Sequence, residues 1–186
     1  MKKRKGYYMI SSFSKLRIYL PGPMESCRDT AADWRNDIKP RLVALGFNEE
    51  NIVDPVKRQP EGEYEAIDGA RAIGNWADVD RITGEIVNHD LRFVDLCDFL
   101  ICHLFEGVLT CGTWDEIFMA SQQRKPVFII MKDWREKAPS WLFGRFGHAM
   151  MHEDIDEVVN RLRNIRDGME PPPEGWRNLY DRTYTI

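Results

Sequence analysis

Two acidic side chains of this 186-residue chain, Asp90 and Glu116, are candidates for chemistry at a sugar carbon. Asp90 lies in a segment of helical spacing before the apolar run 99–104, and Glu116 follows that run after a glycine-containing loop. Two carboxylates in one cleft suit the cleavage of a glycosidic bond, because one can attack or stabilise an oxocarbenium-like carbon while the other serves the leaving group. A lone aspartate on a helix is more often a solvated charge, so the pattern leaves both interpretations open.

The loop before Glu116 is also a candidate anion site. A strand, a loop and a helix starting near Thr113 would leave free backbone N–H groups and the positive end of the helix dipole facing the loop. A phosphate group would suit that position. The competing interpretation is structural, because Thr113 and Glu116 have the spacing of a capping box, in which the two residues satisfy each other's backbone N–H groups.

Tyr19 ends the first predicted strand, directly before the turn at 21–24. It is either a core aromatic residue or a hydroxyl presented at the carboxyl end of that strand. Arg28 and Arg35 lie seven residues apart on the next predicted helix. We interpret them as solvated charges, with contact to a phosphate as the alternative.

Alternating strands and helices must position these residues. Short apolar runs predict strands at 16–20, 51–53, 99–104 and 127–131, separated by helical patterns, with Pro40 expected to kink or divide the first helix. This order predicts an α/β fold: a doubly wound, mainly parallel five-stranded sheet, flavodoxin-like or Rossmann-like, with helices on both faces. Ligands bind such sheets beyond the carboxyl ends of the strands. The loops at 21–27, from Asp54 onward and at 105–113 should therefore converge.

The domain organisation follows from the same patterns. We expect a flexible basic arm at 1–15, one α/β domain at 16–170 and a C-terminal tail at 171–186. Residues 56–84, which are polar with scattered glycines, predict an irregular lid-like insertion within the domain, with a helical turn around 64–72 as a further expectation. The aromatic tail residues Trp176, Tyr180 and Tyr184 are expected either to complete a neighbouring subunit's site or to pack on their own core.

Composition excludes several classes of protein. The chain has 26 Lys and Arg against 30 Asp and Glu, a net charge of −4, which argues against binding to a nucleic acid polymer. No window approaches the roughly 20 apolar residues of a membrane span, so we expect no membrane contact. The basic start lacks the apolar stretch of a secretory signal, so we expect a cytoplasmic protein.

Familiar cofactor motifs are absent from the sequence. The glycine fingerprint of dinucleotide sites, the phosphate loop of ATP sites and the serine nucleophile elbow do not occur. His148 and His152 would share a helical face, but no third ligand is evident. We therefore expect neither a metal nor a cofactor.

Several short motifs occur in order between residues 16 and 131. They are Tyr19-Leu20-Pro21-Gly22-Pro23-Met24, Trp34-Arg35, Asp54-Pro55, Asn88-His89-Asp90-Leu91, Gly112-Thr113-Trp114-Asp115-Glu116 and Lys125-Pro126-Val127. Taken together they resemble the motifs of the nucleoside 2-deoxyribosyltransferase family, including its nucleoside 5′-monophosphate N-glycosidase branch. The separation of Asp90 and Glu116 also resembles that of the family's catalytic pair.

The resemblance implies a retaining double displacement. Glu116 would attack C1′ of the sugar, Asp90 would assist departure of the base by proton transfer, and Tyr19 would hold Glu116 or the sugar. The resemblance implies substrate-binding roles for Gly22, Pro23, Met24, Asp54, Thr110, Gly112 and Thr113. It implies no cofactor, a small-molecule nucleoside or nucleotide as substrate, and a homodimer or higher homo-oligomer.

One position departs from the free-nucleoside members of the family. In the family that this chain resembles, the members that act on free nucleosides carry an aspartate six residues before the nucleophile. This chain has Thr110 at that position. The monophosphate hydrolases of the same fold place a hydroxyl group there. A neutral hydroxyl beside a helix N-terminus tolerates a dianionic phosphate better than a carboxylate does, because like charges repel. The substitution therefore favours a nucleotide substrate.

Two other functions remain open at this point. The first is a non-catalytic module of the same fold that binds or senses nucleotides. The second is cleavage of the nicotinamide–ribose bond of NAD, which would keep a glutamate nucleophile.

Overall fold

The computed structural model describes residues 13–27, 31–58, 60 and 62–173. Five parallel strands form one sheet in the order β2-β1-β3-β4-β5. They are β1 (Ile18–Tyr19), β2 (Ile52–Val53), β3 (Phe99–His103), β4 (Val127–Ile130) and β5 (Met151–His152). The order reverses between β1 and β3, so the carboxyl ends of these two strands flank the switch point of a doubly wound sheet. The predicted fold class is confirmed.

Eight helices connect or follow the strands in the described part of the chain. They are α1 (Asp33–Ala44), α2 (Pro55–Arg58), α3 (Glu63–Ala72), α4 (Trp76–Leu96), α5 (Cys111–Gln122), α6 (Trp134–Lys137), α7 (Ser140–Phe146) and α8 (Ile155–Arg166). None of these helices is both long and apolar enough to span a bilayer.

The sheet carries helices on both faces. Alternate strand residues, among them Ile18, Phe99 and Phe128, form one core with α1 and α8. The residues between them, among them Tyr19 and Leu100, form a second core with α4 and α5. Because a parallel sheet is buried on both faces, its central strands are continuously apolar, which is why the runs at 99–104 and 127–131 could be identified.

Helix α1 is not divided at Pro40, contrary to one of the expected outcomes. Trp34, Ile38 and Leu42 follow the helical period and face the core, so tertiary packing holds the helix together across the proline. The chain leaves the helix at Gly46, whose φ of +103° lies in the left-handed region that favours glycine.

Most of the described residues within 56–84 are helical, so the prediction of an irregular insertion is wrong, whereas the helical turn expected around 64–72 lies within α3. The segment contains α2, α3 and the start of α4. The side chain of Asn75 caps α4 by accepting a hydrogen bond of 3.3 Å from the Asp78 N–H. Helices α3 and α4 pack against each other as an antiparallel hairpin. Gly69 and Gly84 lie inside these helices, which is why the sequence looked irregular.

Part of the expected N-terminal arm is packed against the fold. Phe13–Lys15 forms a 3₁₀ turn, and Phe13 is buried and stacked on Phe47 at 4.4 Å between ring centroids. The rest of the arm and the aromatic tail residues lie outside the described residues.

His148 and His152 do not share a helical face, contrary to the expectation. His152 lies on β5 and His148 lies in a 3₁₀ turn.

Candidate active site

A hydrogen bond between Tyr19 and Glu116 lies at the centre of the candidate site. Tyr19 is the last residue of β1 and Glu116 lies in the second turn of α5, and both are buried. The Tyr19 hydroxyl donates to Oε1 of Glu116. The sheet order produces this contact, because β1 lies beside β3 and the chain enters α5 directly after β3. The interpretation of Tyr19 as a hydroxyl at the strand's carboxyl end agrees with this geometry.

The start of α5 removes the capping explanation for Glu116. The helix begins at Cys111 after Thr110, so Thr113 lies inside its first turn and does not precede it. The Thr110 hydroxyl donates to Oγ1 of Thr113, and both threonines are buried. Gly112 lies exposed in the same turn. Glu116 points to Tyr19, so its position is not that of a capping-box glutamate.

Burial dominates the electrostatics of Glu116. Loss of solvation raises its pKa to about 8, and the negative charge of Asp90 contributes in the same direction. The hydrogen bond from Tyr19 and the charge of Arg35 oppose the rise. Burial also raises the pKa of Tyr19 well above its ordinary value, so its hydroxyl stays protonated and serves as a donor.

Asp90 lies close enough to Tyr19 and Glu116 for its charge to act on both. It lies on α4 with 23% of its side chain exposed, and its charge raises the pKa of both Tyr19 and Glu116. Burial raises the pKa of Asp90 itself to about 6, and the charge of Glu63 adds to the rise. His89 opposes it, with Nδ1 3.8 Å from Oδ1 of Asp90. Asp90 is therefore poised to exchange a proton near neutral pH.

Arg35 is buried and structural, so the interpretation as a solvated charge is wrong. Its Nε donates to the Leu20 carbonyl at 3.0 Å, and its Nη2 donates to the Gly22 carbonyl at 3.1 Å. Its Nη1 donates to the Ala31 carbonyl. All three guanidinium nitrogens thus bind backbone within the described chain. Arg35 holds the loop after β1 in place, whereas Arg28 lies outside the described residues.

Asp54 supports Arg35 from β2. It is buried, accepts a hydrogen bond from Lys39 and another of 3.0 Å from the Val56 N–H, and lies 3.6 Å from Nε of Arg35. Its carboxylate is therefore occupied by protein groups. The substrate-binding role that the sequence suggested for Asp54 becomes a positioning role for the loop after β1.

Gly22 is needed because neighbouring atoms approach its Cα closely. A Cβ at this position would lie 3.1 Å from Cζ2 of Trp34, 3.2 Å from Nη2 of Arg35 and 3.3 Å from the His103 carbonyl oxygen. Pro23 after it is buried and Met24 is half-buried. The three loops expected to converge do so around this point, since Arg35 joins the first to Asp54 and His103 leads into the third.

Sequence reasoning missed Glu63 and Lys39, and it misjudged Arg35. Glu63 lies in the segment taken to be irregular, where no helical pattern marked it. The partners of Lys39 and Arg35 come from other strands and loops, so no local pattern reveals that these cations are buried. Among the described residues there is no group of three or more His, Cys, Asp and Glu side chains placed to hold a metal ion.

Comparison of the chain with protein-family models finds no match, and comparison with curated proteins finds no match either. We therefore infer a function from the geometry of the site and from the motifs quoted above.

Proposed function

We propose that the protein cleaves the N-glycosidic bond of a nucleoside or nucleoside 5′-monophosphate through a covalent glycosyl–glutamate intermediate. The sugar is then transferred to a second base or to water, as in nucleoside 2-deoxyribosyltransferases and nucleotide N-glycosidases. The observation that carries this proposal is the buried Glu116 carboxyl, bonded by Tyr19 at the switch point of the sheet, with Asp90 close enough for its charge to act on it.

The reaction takes place in two displacements. A Glu116 oxygen attacks C1′ as the bond from C1′ to the base nitrogen breaks, and the bonding electron pair leaves with the base. Asp90 gives its proton to the departing base. In the second step a water molecule or a second base attacks C1′, Glu116 leaves as a carboxylate, and Asp90 takes up the proton of the attacking group.

The mechanism requires an ionised Glu116 and a protonated Asp90. With pKa values of about 8 and about 6, these are the minor forms of both groups at pH 7. At pH 7 about one tenth of Glu116 is ionised, and a similar fraction of Asp90 is protonated. Positive charge that develops on the sugar ring stabilises the Glu116 carboxylate in the transition state. We expect kcat/KM to follow a bell-shaped pH profile with limbs near these two values.

Thr110 and Thr113 support a monophosphate as the substrate. Their hydroxyls lie at the N-terminus of the 12-residue helix α5, next to backbone N–H groups and the positive end of the dipole. Neither threonine brings a negative charge that would repel a phosphate. The experiment that distinguishes the substrates compares 2′-deoxynucleosides with their 5′-monophosphates, each with and without a second free base.

The central test is the variant Glu116→Gln, with Glu136→Gln as its control. Loss of the nucleophile should lower base release by at least about 10³-fold. Glu136 is exposed on α6 and its charge does not act on Glu116, so the same substitution there should leave base release within about twofold. Equal activity of Glu116→Gln and the parent protein would overturn the mechanism.

The two other functions give different results in the same assay. A nucleotide-binding module would raise the melting temperature with nucleotide and release no base. Cleavage of NAD would release free nicotinamide. The cytoplasmic location expected from the sequence stays a prediction.

The α3–α4 hairpin supports a homo-oligomer. Only Phe93 and Val94 of the 21 residues of α4 are buried, and Trp76 at its start is 64% exposed. We propose that a second copy of the chain covers this apolar surface. Sedimentation equilibrium should show a dimer or larger species, and Val87→Glu on the exposed apolar surface of α4 should shift it to monomer while the exposed Asp80→Asn does not.

A further inference from the structure

Glu63 brings an unsatisfied carboxyl oxygen to the candidate active site. It is the first residue of α3, and its Oε2 is buried without a hydrogen-bond partner among the described residues. A buried acceptor without a donor is costly, and buried polar atoms in folded proteins are nearly always paired. The position of this oxygen therefore calls for a donor that the described chain does not supply.

The helical hairpin directs Glu63 toward Asp90. Three residues join α3 to α4, so the two helices run antiparallel and the start of α3 lies beside the later part of α4. Asp90 is in that part of α4, and the charge of Glu63 contributes to its raised pKa. The charge of Glu63 thus acts on Asp90, and the charge of Asp90 acts on Glu116.

The ordinary explanation for Glu63 accounts for only part of this geometry. A glutamate in the first turn of a helix is favoured by the positive end of the helix dipole. A glutamate can make that interaction with both carboxyl oxygens in water, as the exposed Glu65 does two residues later in the same turn. It gives no reason for Oε2 to be buried beside another carboxyl group.

We propose that Glu63 selects the base, by accepting a hydrogen bond from an exocyclic amino group next to the ring nitrogen that receives the proton from Asp90. This inference rests on the proposed function. Adenine has such a pair in its N6 amino group and N7, and cytosine has one in its N4 amino group and N3. An oxo group in the same place would set its lone pairs against Oε2, leaving two buried acceptors without a donor.

The test uses substrates in which an oxo group replaces the exocyclic amino group. They are the 2′-deoxyribonucleoside 5′-monophosphates of adenine and hypoxanthine, which both keep N7 as a proton acceptor, and those of cytosine and uracil, in which N3 also changes from an acceptor to an N–H donor. The ratio of kcat/KM within at least one pair should favour the amino base by about 10²-fold or more. Glu63→Gln should lower that ratio at least about tenfold, because a carboxamide can donate to an oxo group as well as accept. Glu65→Gln should leave the ratio unchanged.

Both kcat/KM values in a ratio are measured with the same protein preparation. A misfolded fraction lowers both values by the same factor and therefore leaves their ratio unchanged. Base release that depends on Glu116 but shows no amino preference would overturn the role of Glu63 alone. An amino preference that survives Glu63→Gln would do the same. No base release from any of the four substrates would overturn the proposed function, and this inference with it.

Discussion

Replacing Glu116 with glutamine should stabilise the folded protein at alkaline pH, because the folded state holds a proton that the unfolded state has lost. The pKa of Glu116 is about 8 in the fold against an ordinary value of 4.5. Between these values the unfolded chain binds fewer protons than the folded chain. The free energy of unfolding therefore falls as the pH rises through this window, by up to about 1.4 kcal/mol per pH unit.

The magnitude follows from the two pKa values. Full ionisation of Glu116 in its buried site costs on the order of 5 kcal/mol relative to the unfolded chain. Between about pH 5 and about pH 8 the loss is about 3.5 kcal/mol, and it is complete only above the folded pKa. Glutamine does not titrate. The unpaired N–H groups that it introduces beside Tyr19 cost the same free energy at every pH.

Urea unfolding at about pH 5, 6.5 and 8 measures the effect. The difference in unfolding free energy between Glu116→Gln and the parent protein should rise by about 3 kcal/mol across this range in favour of the variant. Asp90 titrates in both proteins, so its contribution largely cancels. Glu136→Gln, a substitution of an exposed glutamate on α6, should follow the parent protein at each pH. A change of less than about 1 kcal/mol would refute the claim that burial raises the pKa of Glu116.

Three further changes test the parts that position Glu116. Tyr19→Phe removes the hydrogen bond that lowers the pKa of Glu116, so the alkaline limb of the kcat/KM profile should move from near pH 8 to higher pH and activity at neutral pH should fall about tenfold or more; an unmoved limb would contradict this. Gly22→Ala should lower the unfolding free energy by about 1–3 kcal/mol in urea titrations, because its Cβ would meet three atoms within 3.3 Å. Lys39→Met leaves the buried carboxylate of Asp54 without its closest cation and should cost about 3 kcal/mol by the same measurement, and a cost below about 0.5 kcal/mol would show that the ion pair is not stabilising.

The central sheet could be predicted because its signals are local, whereas the pairing of Tyr19 with Glu116 was expected only from the family resemblance. Apolar runs identify β3 and β4 wherever both faces of a sheet are covered. Residues that follow neighbouring strands then meet at one edge of the sheet. The two-residue strand β5 carried no such signal, and His152 within it resembled a helical position.

The surroundings of the pair could not be predicted, because their determinants are distant in sequence. Arg35 is compensated by carbonyl groups of the loop after β1 and by Asp54, which belongs to another strand end. The α3–α4 hairpin has few buried apolar residues, so its periodicity is weak and its position against the site depends on packing. Glu63 acquires its environment only when that hairpin forms.

An all-parallel sheet also determines when during folding the candidate site comes into existence. None of the five described strands pairs with its neighbour through a tight turn, and the Arg17 N–H binds the Asp98 carboxylate across 81 residues of chain. Bringing β1 and β3 together closes a long loop of chain, which costs conformational entropy before the strand contacts can offset it. Pairing of β1 with β3 is therefore expected to be a slow step. Tyr19 and Glu116 are 97 residues apart and meet only through that pairing. A nascent or truncated chain that lacks α5 would hold neither a partial site nor partial activity.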